Sequence, residues 1–435
     1  MNFVVLIQIL LFFSVLFVIS DAKQEKKQKI AIIGGGIGGA FLQIQLRQIF
    51  GENAEISVFE KQDRLGGRCM SFQYEGKYYE LGKQRFTDYD KLFLDYVKTV
   101  NMTISKSSST TLGIYNEEGY ACSLDDMLDY AFDEYVQSES YYLIRKSFTN
   151  SFLRSISVLV LDQKENINAL AGFQSQFTGS GQIRNMEEGL EQFVNKLFNI
   201  KLDIKSQIKI NLNTNVNFIE KLHPINDSDY QFRLHFNETF QDFDQVVIAF
   251  PLEQNENPNL FFKNFSENQS IFQQNLKSGY YSNYVITYVK AINPLYSYFG
   301  FNITDNYPEL MVPYDQDKSE FYKILKVCNK CLQDRSSLFQ ITSKQKLNQA
   351  QINNIFGESS KIIKQKEWDA LIPNVKNYET NEIADYQLLN GLYYLHSAEQ
   401  AVPFLAFEAI SAKIVSNLMN PSFQNKKTQQ QTSDL

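Results

Sequence analysis

Near the start of the folded part of the chain, apolar residues form two short runs separated by a helical pattern. The run "KIAIIGG" at residues 29–35 is rich in Ile and is typical of a buried parallel strand. A helix is predicted from about Gly38 to Phe50, because the apolar residues of this stretch fall on one helical face. The second run, "AEISVFE", predicts another strand that ends at Glu60. The order of strand, helix and strand indicates a βαβ unit.

Further strand patterns follow in the middle of the chain and near its end. The segment "IKINLNTNVNFIEK" contains a strand pattern that ends on Val216, and "QFRLHFN" alternates apolar and polar residues. The segment "FDQVVIAFPL" predicts a buried strand closed by Pro251. The segment "GLYYLHSAEQAVPFLAFEAISAKIVSNL" predicts a strand, a turn and an amphipathic helix from about Pro403 to Leu418. The aromatic run "GYYSNYVITYVKAINPLYSYFGF" alternates like a strand pair, which suits either a domain core or the lining of a long apolar slot.

The N-terminal segment is almost wholly apolar from Phe3 to Ile19, and a polar, basic stretch follows it. Ser20 and Ala22 form a small-x-small cleavage pattern, so we expect residues 1–22 to be a signal peptide that is removed after Ala22. An uncleaved signal anchor is the alternative. No other run is long and apolar enough to cross a bilayer, so we expect the mature chain to be lumenal or secreted, without a stable membrane span.

Glycosylation sequons and cysteines fit such a compartment. The sequons begin at Asn101, Asn226, Asn237, Asn264, Asn268 and Asn302. The sequence "CNKC" holds Cys328 and Cys331, and a local disulfide in an oxidising lumen is the preferred interpretation. We predict no metal site, because the few histidines of the chain do not form a second ligand pair.

Length, aromatic content and charge limit the possible classes of protein. The chain has 435 residues with 14% aromatic residues, enough for two or three domains with a large apolar core. The net charge is -7 and the lysines form no basic stripe, so we predict no nucleic-acid partner.

The first strand of the βαβ unit leads into a glycine-rich loop. Gly34, Gly36 and Gly39 form the pattern G-x-G-x-x-G, which allows a tight turn, a close approach of a pyrophosphate and close packing of helix on strand. The free N–H groups of the helix N-terminus, at Ile37 and Gly38, point at the phosphates.

The second strand of the unit supplies an acid at the spacing that a ribose site needs. Glu60 follows Gly39 by about 20 residues, the distance of a ribose-binding carboxylate in such units. Its charge would repel a 2′-phosphate, which disfavours NADP. Together with the neighbouring Lys61 it completes the predicted nucleotide site of the first motif.

A second glycine doublet lies directly behind this acid, in "DRLGGR". The segment resembles the second glycine motif of FAD-dependent amine-oxidase-type flavoproteins, where another close backbone approach serves the long cofactor. The alternative is a glycine hairpin with a surface arginine. The resemblance implies FAD as the cofactor, with Arg64, Gly66, Gly67 and Arg68 as binding residues. It adds Val216 and also Glu399, which falls where related flavoproteins place a Glu against the ribityl-phosphate region, unless it is a surface acid leading a helix.

The order of several segments narrows the resemblance to one family. The segments "KIAIIGGGIGGA", "LRQIFGENAEISVFE", "GGR", "LGIYNEEG", "NINALAGF", "WDALIP" and "GLYYLHSAEQA" follow one another as in prenylcysteine oxidases, also called prenylcysteine lyases. The chain resembles that family from Lys29 to about Leu418. Membership would imply a lumenal, glycosylated FAD oxidase of lysosomes or a related compartment. It would cleave the thioether of farnesyl- or geranylgeranyl-cysteine in the breakdown of prenylated proteins.

The chemistry implied by the resemblance needs few catalytic side chains. The isoprenoid carbon bonded to sulfur gives a hydride to the flavin, water adds, and the hemithioacetal collapses to prenyl aldehyde and cysteine. Dioxygen takes up the electron pair and leaves as hydrogen peroxide. Sulfur and the adjacent alkene stabilise the cation, so the protein mainly positions the reacting C–H bond. No catalytic residue is assigned from the sequence.

The resemblance also implies the fold class and the domain division. We expect an α/β protein with a discontinuous Rossmann-like FAD-binding domain and an inserted α+β substrate or cap domain. The FAD-binding domain would take residues 29–87, 206–255 and 386–420. The cap would take residues 88–205 and 256–385, and residues 421–435 would be a polar tail.

Some segments depart from the family pattern and leave the substrate less well supported than the cofactor. The segment "LGKQRFT" carries Lys83 and Arg85 where the family favours a small, glycine-rich turn. These two residues and Arg184 are candidates to hold a substrate carboxylate, and solvated surface charges are the alternative. His396 replaces an amide residue of the family and is expected to be structural. The alternatives for the whole chain are a lumenal flavin amine-oxidase-like enzyme or a non-catalytic flavin-binding protein.

Overall fold

The structure is a computed structural model, and it describes twelve stretches of the chain. These are residues 26–82, 86–105, 112–116, 119–123, 183–203, 208–222, 231–252, 260–265, 281–299, 307–313, 319–373 and 384–420. The predicted signal peptide, Lys83 and Arg85, the "NINALAGF" segment and the polar tail lie outside the described residues.

One sheet is mainly parallel and gathers strands from three distant parts of the chain. Its strands are β1 (Gln28–Ile33), β2 (Ala54–Phe59), β9 (Ile208–Asn211), β13 (Gln245–Ile248), β20 (Gln387–Leu389) and β21 (Leu392–Tyr394). They stand in the order β20-β21-β13-β1-β2-β9, parallel except for the edge pair β20/β21. β1 is buried from Ile30 onwards, as its continuous apolar run predicts. The sheet is therefore discontinuous in sequence, as a Rossmann-like domain of this kind requires.

Four helices share a core with this sheet. They are α1 (Ile37–Phe50), α2 (Lys91–Thr99), α3 (Leu190–Phe198) and α6 (Phe407–Met419). The helix predicted from about Gly38 is thus found one residue earlier. The ring of Phe41 on α1 lies 6.0 Å from Phe93 on α2 and 6.1 Å from Phe193 on α3. The predicted division assigns α2 and α3 to the cap, but in the structure their apolar faces pack on the parallel-sheet domain.

A second, four-stranded sheet lies beside the first. Its strands are β10 (Val216–Lys221), β11 (Phe232–Phe236), β12 (Thr239–Phe243) and β14 (Phe261–Lys263). The prediction that a strand ends on Val216 is wrong, because Val216 begins β10. The chain turns through Asn213, whose φ is 51°, and the turn is held by the N–H of Thr214 donating to the carbonyl of Glu60 at 2.8 Å. β14 pairs with β10, so residues 261–263 join this sheet although the predicted division gives them to the cap.

The third sheet has seven strands and forms the second domain. Its strands are β6 (Leu112–Asn116), β7 (Gly119–Ser123), β15 (Tyr281–Ala291), β16 (Leu310–Pro313), β17 (Phe321–Cys328), β18 (Ser337–Ser343) and β19 (Lys361–Pro373). They stand in the order β19-β15-β18-β17-β16-β6-β7. The aromatic run contributes one long strand, β15, followed by the short helix α4 (Tyr296–Phe299). Cys328 and Cys331 form the expected local disulfide at the end of β17.

Short elements join the two domains. The hairpin β3 (Ser71–Tyr74) and β4 (Lys77–Glu80) precedes the pair β5 (Phe86–Thr87) and β8 (Ile183–Arg184), and α5 (Gln349–Phe356) packs on the large sheet. The indole of Trp368 donates to the carbonyl of Leu81 at 2.6 Å, and the hydroxyl of Tyr288 donates to the carbonyl of Glu80 at 2.8 Å. The end of the hairpin is thereby fixed to the cap sheet. Among the helices of the described stretches, none has both the length and the apolar character of a bilayer span.

Candidate cofactor site

The three glycines of the first motif have different surroundings. A Cβ atom on Gly34, whose φ is +121°, would lie 2.4 Å from the carbonyl oxygen of Ala249, and one on Gly39 would lie 2.4 Å from that of Gly34. These two glycines are required because backbone packs directly against them. A Cβ on Gly36 would have no atom nearer than 4.0 Å outside its chain neighbours. Gly36 therefore faces open space at the N-terminus of α1.

The second glycine motif is bonded to the first. The N–H of Gly66 donates to the carbonyl of Gly35 at 2.9 Å, and Gly66 forms a parallel bridge with Gly36. Gly66 and Gly67 have φ values of +119° and +55°, which favour glycine. A Cβ on Gly66 would also lie 2.6 Å from the carbonyl oxygen of Cys69. The doublet is thus needed to bring its own backbone against the first loop.

Arg64 stabilises this turn from behind. Its Nη2 donates to the carbonyl of Gly67 at 2.8 Å, and its Nη1 donates to that of Leu65 at 3.2 Å. Nη1 also lies 3.7 Å from a carboxylate oxygen of Glu191 on α3. Arg64 does not line the cleft described below, so it supports the second glycine turn instead of contacting a ligand there.

Glu60 lies at the end of β2, as predicted, and its carboxylate turns towards the first glycine loop. Oε2 accepts a hydrogen bond from the N–H of Gly35 at 2.7 Å, and Oε1 accepts one from the N–H of Gln62 at 2.9 Å. The residue is only 6% exposed, so both bonds are formed in a protected place. Two backbone donors hold an acceptor of ribose hydroxyls beside the loop.

Both glycine motifs line one cleft of about 700 Å³, a size typical of small-molecule sites. Ten of the residues predicted from the sequence line it: Gly34, Gly36, Ile37, Gly38, Glu60, Lys61, Gly66, Gly67, Arg68 and Val216. The other three, Gly39, Arg64 and Glu399, do not line it. Gly39 packs on the first loop, and Glu399 contacts the lining residue Arg68.

A buried ionic cluster closes one end of the cleft. Arg68 contacts both oxygens of Glu399, Nη1 at 2.6 Å from Oε1 and Nη2 at 2.8 Å from Oε2. Nη2 also lies 3.6 Å from Oε1 of Glu408. Burial alone would lower the pKa of Arg68, but the combined effect of Glu399, Tyr281 and Glu408 raises it above its usual value. Glu399 is therefore a buried partner of Arg68 and is not a surface acid.

His396 completes this cluster. Its Nδ1 lies 3.2 Å from Glu399 and 3.3 Å from Glu408, and the ring is 5% exposed. Burial alone would lower the pKa of His396, but the carboxylates of Glu408 and Glu399 raise it to about 9. A protonated His396 and Arg68 thus balance two carboxylates. His396, Glu399 and Glu408 also have the spacing of metal ligands, but these two cations already neutralise the acids.

Arg68 also connects the cluster to the cap sheet. Its Nη1 donates to the carbonyl of Leu371 on β19 at 3.2 Å. The hydroxyl of Tyr281 on β15 donates to Oε2 of Glu399 at 3.1 Å, and its ring lies 5.8 Å from the guanidinium. Burial and the charge of Glu399 hold the pKa of Tyr281 well above its usual value. The second glycine motif, the C-terminal segment and the cap sheet therefore meet at Arg68.

Other candidates from the sequence lie elsewhere. Arg184 forms a bidentate pair with Asp88, with both contacts at 2.9 Å, so its charge is already balanced. The sequence patterns did not single out Glu408 as a site residue, because an acid in the first turn of a helix is common. They also missed residues 366–370 of β19, which line the cleft opposite the glycine loops. Only the tertiary arrangement brings these residues to the cleft.

The cleft fits a flavin dinucleotide. Gly36 caps α1 without a side-chain hydrogen bond, so the amides of the first turn have no capping side chain in front of them. Their partial positive charge attracts phosphate. Glu60 and Arg68 line the same cleft as this turn, so partners for ribose and for pyrophosphate are present in one cleft. The spacing therefore suits FAD, whose flavin would extend beyond the second motif.

Two protein-family models match most of the chain. The family model described as prenylcysteine lyase matches residues 115–432. A model of the NAD(P)-binding Rossmann-like domain matches residues 32–100, which contain both glycine motifs. Together the two models cover the parallel sheet and the cap sheet, apart from the first residues of β1 and β6.

Curated relatives match over a shorter stretch. Prenylcysteine oxidase 1 from Pongo abelii and from Homo sapiens are each 38% identical to this chain over 90 residues. This stretch is 21% of the chain and 18% of the length of each relative. A 4,4'-diapolycopen-4-al dehydrogenase from Metabacillus indicus is 50% identical over 48 residues, 11% of this chain and 9% of that protein.

Solved structures share the fold at low sequence identity. A putative protoporphyrinogen oxidase from Exiguobacterium sp. 255-15 has a TM-score of 0.64 and 12% identity, and the match covers 90% of this chain and 98% of that one. Wild-type putrescine oxidase bound to putrescine has a TM-score of 0.58 and 10% identity, over 90% and 99% of the two chains. With the family models, these likenesses confirm the predicted α/β Rossmann-like fold, FAD as cofactor and the class of FAD-dependent oxidoreductase. The chain belongs to the prenylcysteine lyase family.

Proposed function

We propose that this protein oxidises the thioether of a prenylcysteine, farnesyl- or geranylgeranyl-cysteine. The products are prenyl aldehyde, cysteine and hydrogen peroxide. The observation that carries the proposal is the family match over residues 115–432, because that stretch contains the cap sheet except for the first three residues of β6. Bound FAD supplies the two-electron acceptor, and dioxygen restores it.

The roles proposed for this chain's residues concern binding and shielding. Gly36 and the first turn of α1 receive the pyrophosphate, and Glu60 accepts the ribose hydroxyls. Arg68 connects the second glycine motif to Leu371 of the cap strand, so it fixes the position of the cap relative to the cofactor loops. Tyr281, whose pKa is raised, keeps its proton at neutral pH, and its hydroxyl donates a hydrogen bond to Glu399. No step is assigned to a general base of this chain.

The substrate must lose a hydride from the carbon bonded to sulfur. Sulfur and the allylic double bond both spread the positive charge that forms on this carbon. The chain then has to hold that C–H bond close to the acceptor and admit one water, which adds to the carbon before the C–S bond breaks. Each turnover releases one aldehyde, one cysteine and one hydrogen peroxide.

The test mixes the flavin-loaded protein with substrate in the absence of oxygen. Farnesylcysteine should bleach the flavin absorbance, and its methyl ester is tried beside it because the segment near Lys83 departs from the family pattern. An analogue with the allylic double bond saturated should bleach the flavin much more slowly. With oxygen, aldehyde, cysteine and peroxide should form in equal amounts, and Gly36→Val protein without flavin is the blank.

Two other outcomes identify the alternatives. Bleaching by putrescine or another amine, with no response to either prenylcysteine, would replace the proposal with an amine-oxidase-like activity. A flavin that no candidate substrate reduces would indicate a flavin-binding protein without this activity.

The proposed setting is the lumen of the secretory pathway, a lysosome or a related compartment, or the secreted state. The apolar N-terminus, the sequons and the disulfide of Cys328 with Cys331 support it. We expect the mature chain to begin near Lys23 and to carry N-glycans, and N-terminal sequencing of the purified protein tests this. An intact Met1 in a membrane pellet would reject signal cleavage.

A further inference from the structure

Two phenylalanine rings are exposed side by side at the mouth of the cofactor cleft. Phe218 on β10 and Phe261 on β14 are register partners, and their rings stack with centroids 5.3 Å apart and planes 27° apart. They are 42% and 47% exposed, although both are large apolar side chains. Both line the cleft. An exposed aromatic pair beside a binding cleft suggests a ligand that covers it.

The position of this pair points to one part of the ligand. The carbonyl of Glu60 accepts the N–H of Thr214 at 2.8 Å, and Thr214 lies two residues before the start of β10. The turn that carries Glu60 is therefore bonded to the strand that carries Phe218. A ribose held by Glu60 has its base attached directly to it, so the base must lie within reach of this strand.

The neighbours of the pair suit a heterocyclic base. Asn215 and Asn217 also line the cleft, and Nδ2 of Asn215 donates to Oδ1 of Asn217 at 2.6 Å. The rest of their hydrogen-bonding capacity offers donors and acceptors to the edge of a ring. Phe218 and Phe261 stack on one another, and the exposed outer face of the pair supplies the apolar surface on which a base stacks. The ionic cluster of Arg68 contacts the cap strand β19 instead.

We propose that Phe218 and Phe261 form a platform on which the adenine of FAD stacks, and that this platform makes the site prefer FAD over FMN. Phe261 lies on β14, between β13 of the parallel sheet and β15 of the cap sheet in the chain. A base stacked on the platform would therefore also contact the part of the chain that connects the two domains. The proposal deepens the cofactor side of the proposed function and does not depend on the identity of the substrate.

The same sheet provides a matched control. His235 is the register partner of Phe218 on β11, and Phe240 on β12 is the register partner of His235. Phe240 is 57% exposed and lies under the guanidinium of Arg233 at 4.0 Å, but it does not line the cleft. Phe240→Ala therefore removes an equally exposed ring from the same sheet without touching the proposed platform.

The experiment measures binding of FAD, FMN and ADP to full-length protein from which flavin has been removed. Phe218→Ala and Phe261→Ala should each raise the Kd for FAD and for ADP by roughly 5- to 100-fold, the range expected for one lost base–aromatic contact. The Kd for FMN, which has no adenine, should stay unchanged in the same variants. Phe218→Tyr should bind FAD like the wild type, and Phe218→Leu should not, because stacking needs a ring.

Unchanged FMN binding shows that a variant is folded and that the flavin end of its site is intact. The proposal is overturned if both alanine variants keep wild-type affinity for FAD, or if FMN binding falls as much as FAD binding. It is also overturned if Phe240→Ala weakens FAD binding as strongly as Phe218→Ala. Hydroxyl-radical footprinting with ADP adds a direct measurement, in which Phe218 and Phe261 should be protected and Phe240 should not.

Discussion

Replacing Arg68 by Met should destabilise the protein strongly, because Arg68 is the main partner of two buried acids. The side chains of Glu399 and Glu408 are each 4% exposed, and Arg68 contacts the first at 2.6 Å and the second at 3.6 Å. Removal of one partner from a buried ion pair typically costs about 3–5 kcal/mol, because a charge is left in a low dielectric without compensation. His396, which already lies nearer to Glu408 than Arg68 does, would then face both carboxylates without the guanidinium.

A double variant separates the cost of an uncompensated charge from the value of the contact. Arg68→Met with Glu399→Gln removes one charge of each sign and leaves Glu408 paired with His396. We expect the double variant to recover much of the lost stability, with a coupling energy of up to about 3 kcal/mol. Replacing a whole buried pair by neutral groups is often close to neutral.

The assay is urea unfolding of the flavin-free full-length protein, followed by far-UV circular dichroism. Arg233→Met is the control, because Arg233 forms an equally bidentate pair with Asp242 at 2.7 and 3.0 Å, and the side chains of this pair are 30% and 23% exposed. A pair in partial contact with water contributes much less than a buried one, on the order of 1 kcal/mol. Equal destabilisation by Arg68→Met and Arg233→Met would refute the reasoning, and so would a double variant as unstable as the sum of its single changes.

Four further substitutions test the cofactor site and the buried acid Glu80. Gly36→Val should leave the flavin-free fold intact and abolish FAD binding. Gly34→Ala should instead lower the melting temperature, because a Cβ at position 34 would lie 2.4 Å from the carbonyl oxygen of Ala249. Glu60→Ala should weaken FAD binding by about 10- to 100-fold, the value of one or two hydrogen bonds to a charged group, which flavin-fluorescence titration measures. Glu80→Gln should remove the loss of stability that we expect between pH 4.5 and 7, and an unchanged pH profile of the melting temperature would contradict this.

The cofactor loops could be predicted closely because they depend on local chain geometry. The positions of Gly34, Gly36 and Glu60 follow from spacing within a single βαβ unit, and the structure places all three on one cleft. The second glycine doublet was expected to serve the cofactor. The structure adds a reason that spacing alone does not show, since Gly66 bonds to Gly35 and its backbone needs the first loop as a neighbour.

The remaining features depend on contacts between distant parts of the chain. In the sequence, Glu408 has the position of an ordinary acid in the first turn of α6. It becomes part of the site because Arg68, which is far away in sequence, lies 3.6 Å from it in the fold. Val216 was expected to end a strand because the apolar pattern continues through it. A turn at Asn213, held by the carbonyl of Glu60 through Thr214, instead makes Val216 the first residue of β10. Periodicity does not detect such a turn.

Two buried groups with raised pKa values give the molecule the same response to pH. Burial raises the pKa of Glu80 from 4.5 to about 7, and the carboxylates raise that of His396 from 6.5 to about 9 against the effect of burial. Since each folded-state pKa lies above its unfolded value, each contribution is full at low pH and is lost as pH rises, from 4.5 to 7 for Glu80 and from 6.5 to 9 for His396. Each shift corresponds to about 3 kcal/mol.

The pH interval in which Glu80 loses its contribution leads into the interval in which His396 loses its own. Over these two pH intervals, the fold should therefore be most stable at the acidic end. Glu80 accepts hydrogen bonds from the hydroxyl of Ser71 and the N–H of Leu190 at 2.7 Å each, and thereby joins the hairpin β3/β4 to α3. His396 joins the C-terminal segment to the second glycine motif through the acids it shares with Arg68. His396 lines the cofactor cleft and Glu80 does not, so the second junction is the one that connects the pH response of the fold to the cofactor site. This direction of the pH response is the one expected of a protein that works in the acidic lumen that we propose for it.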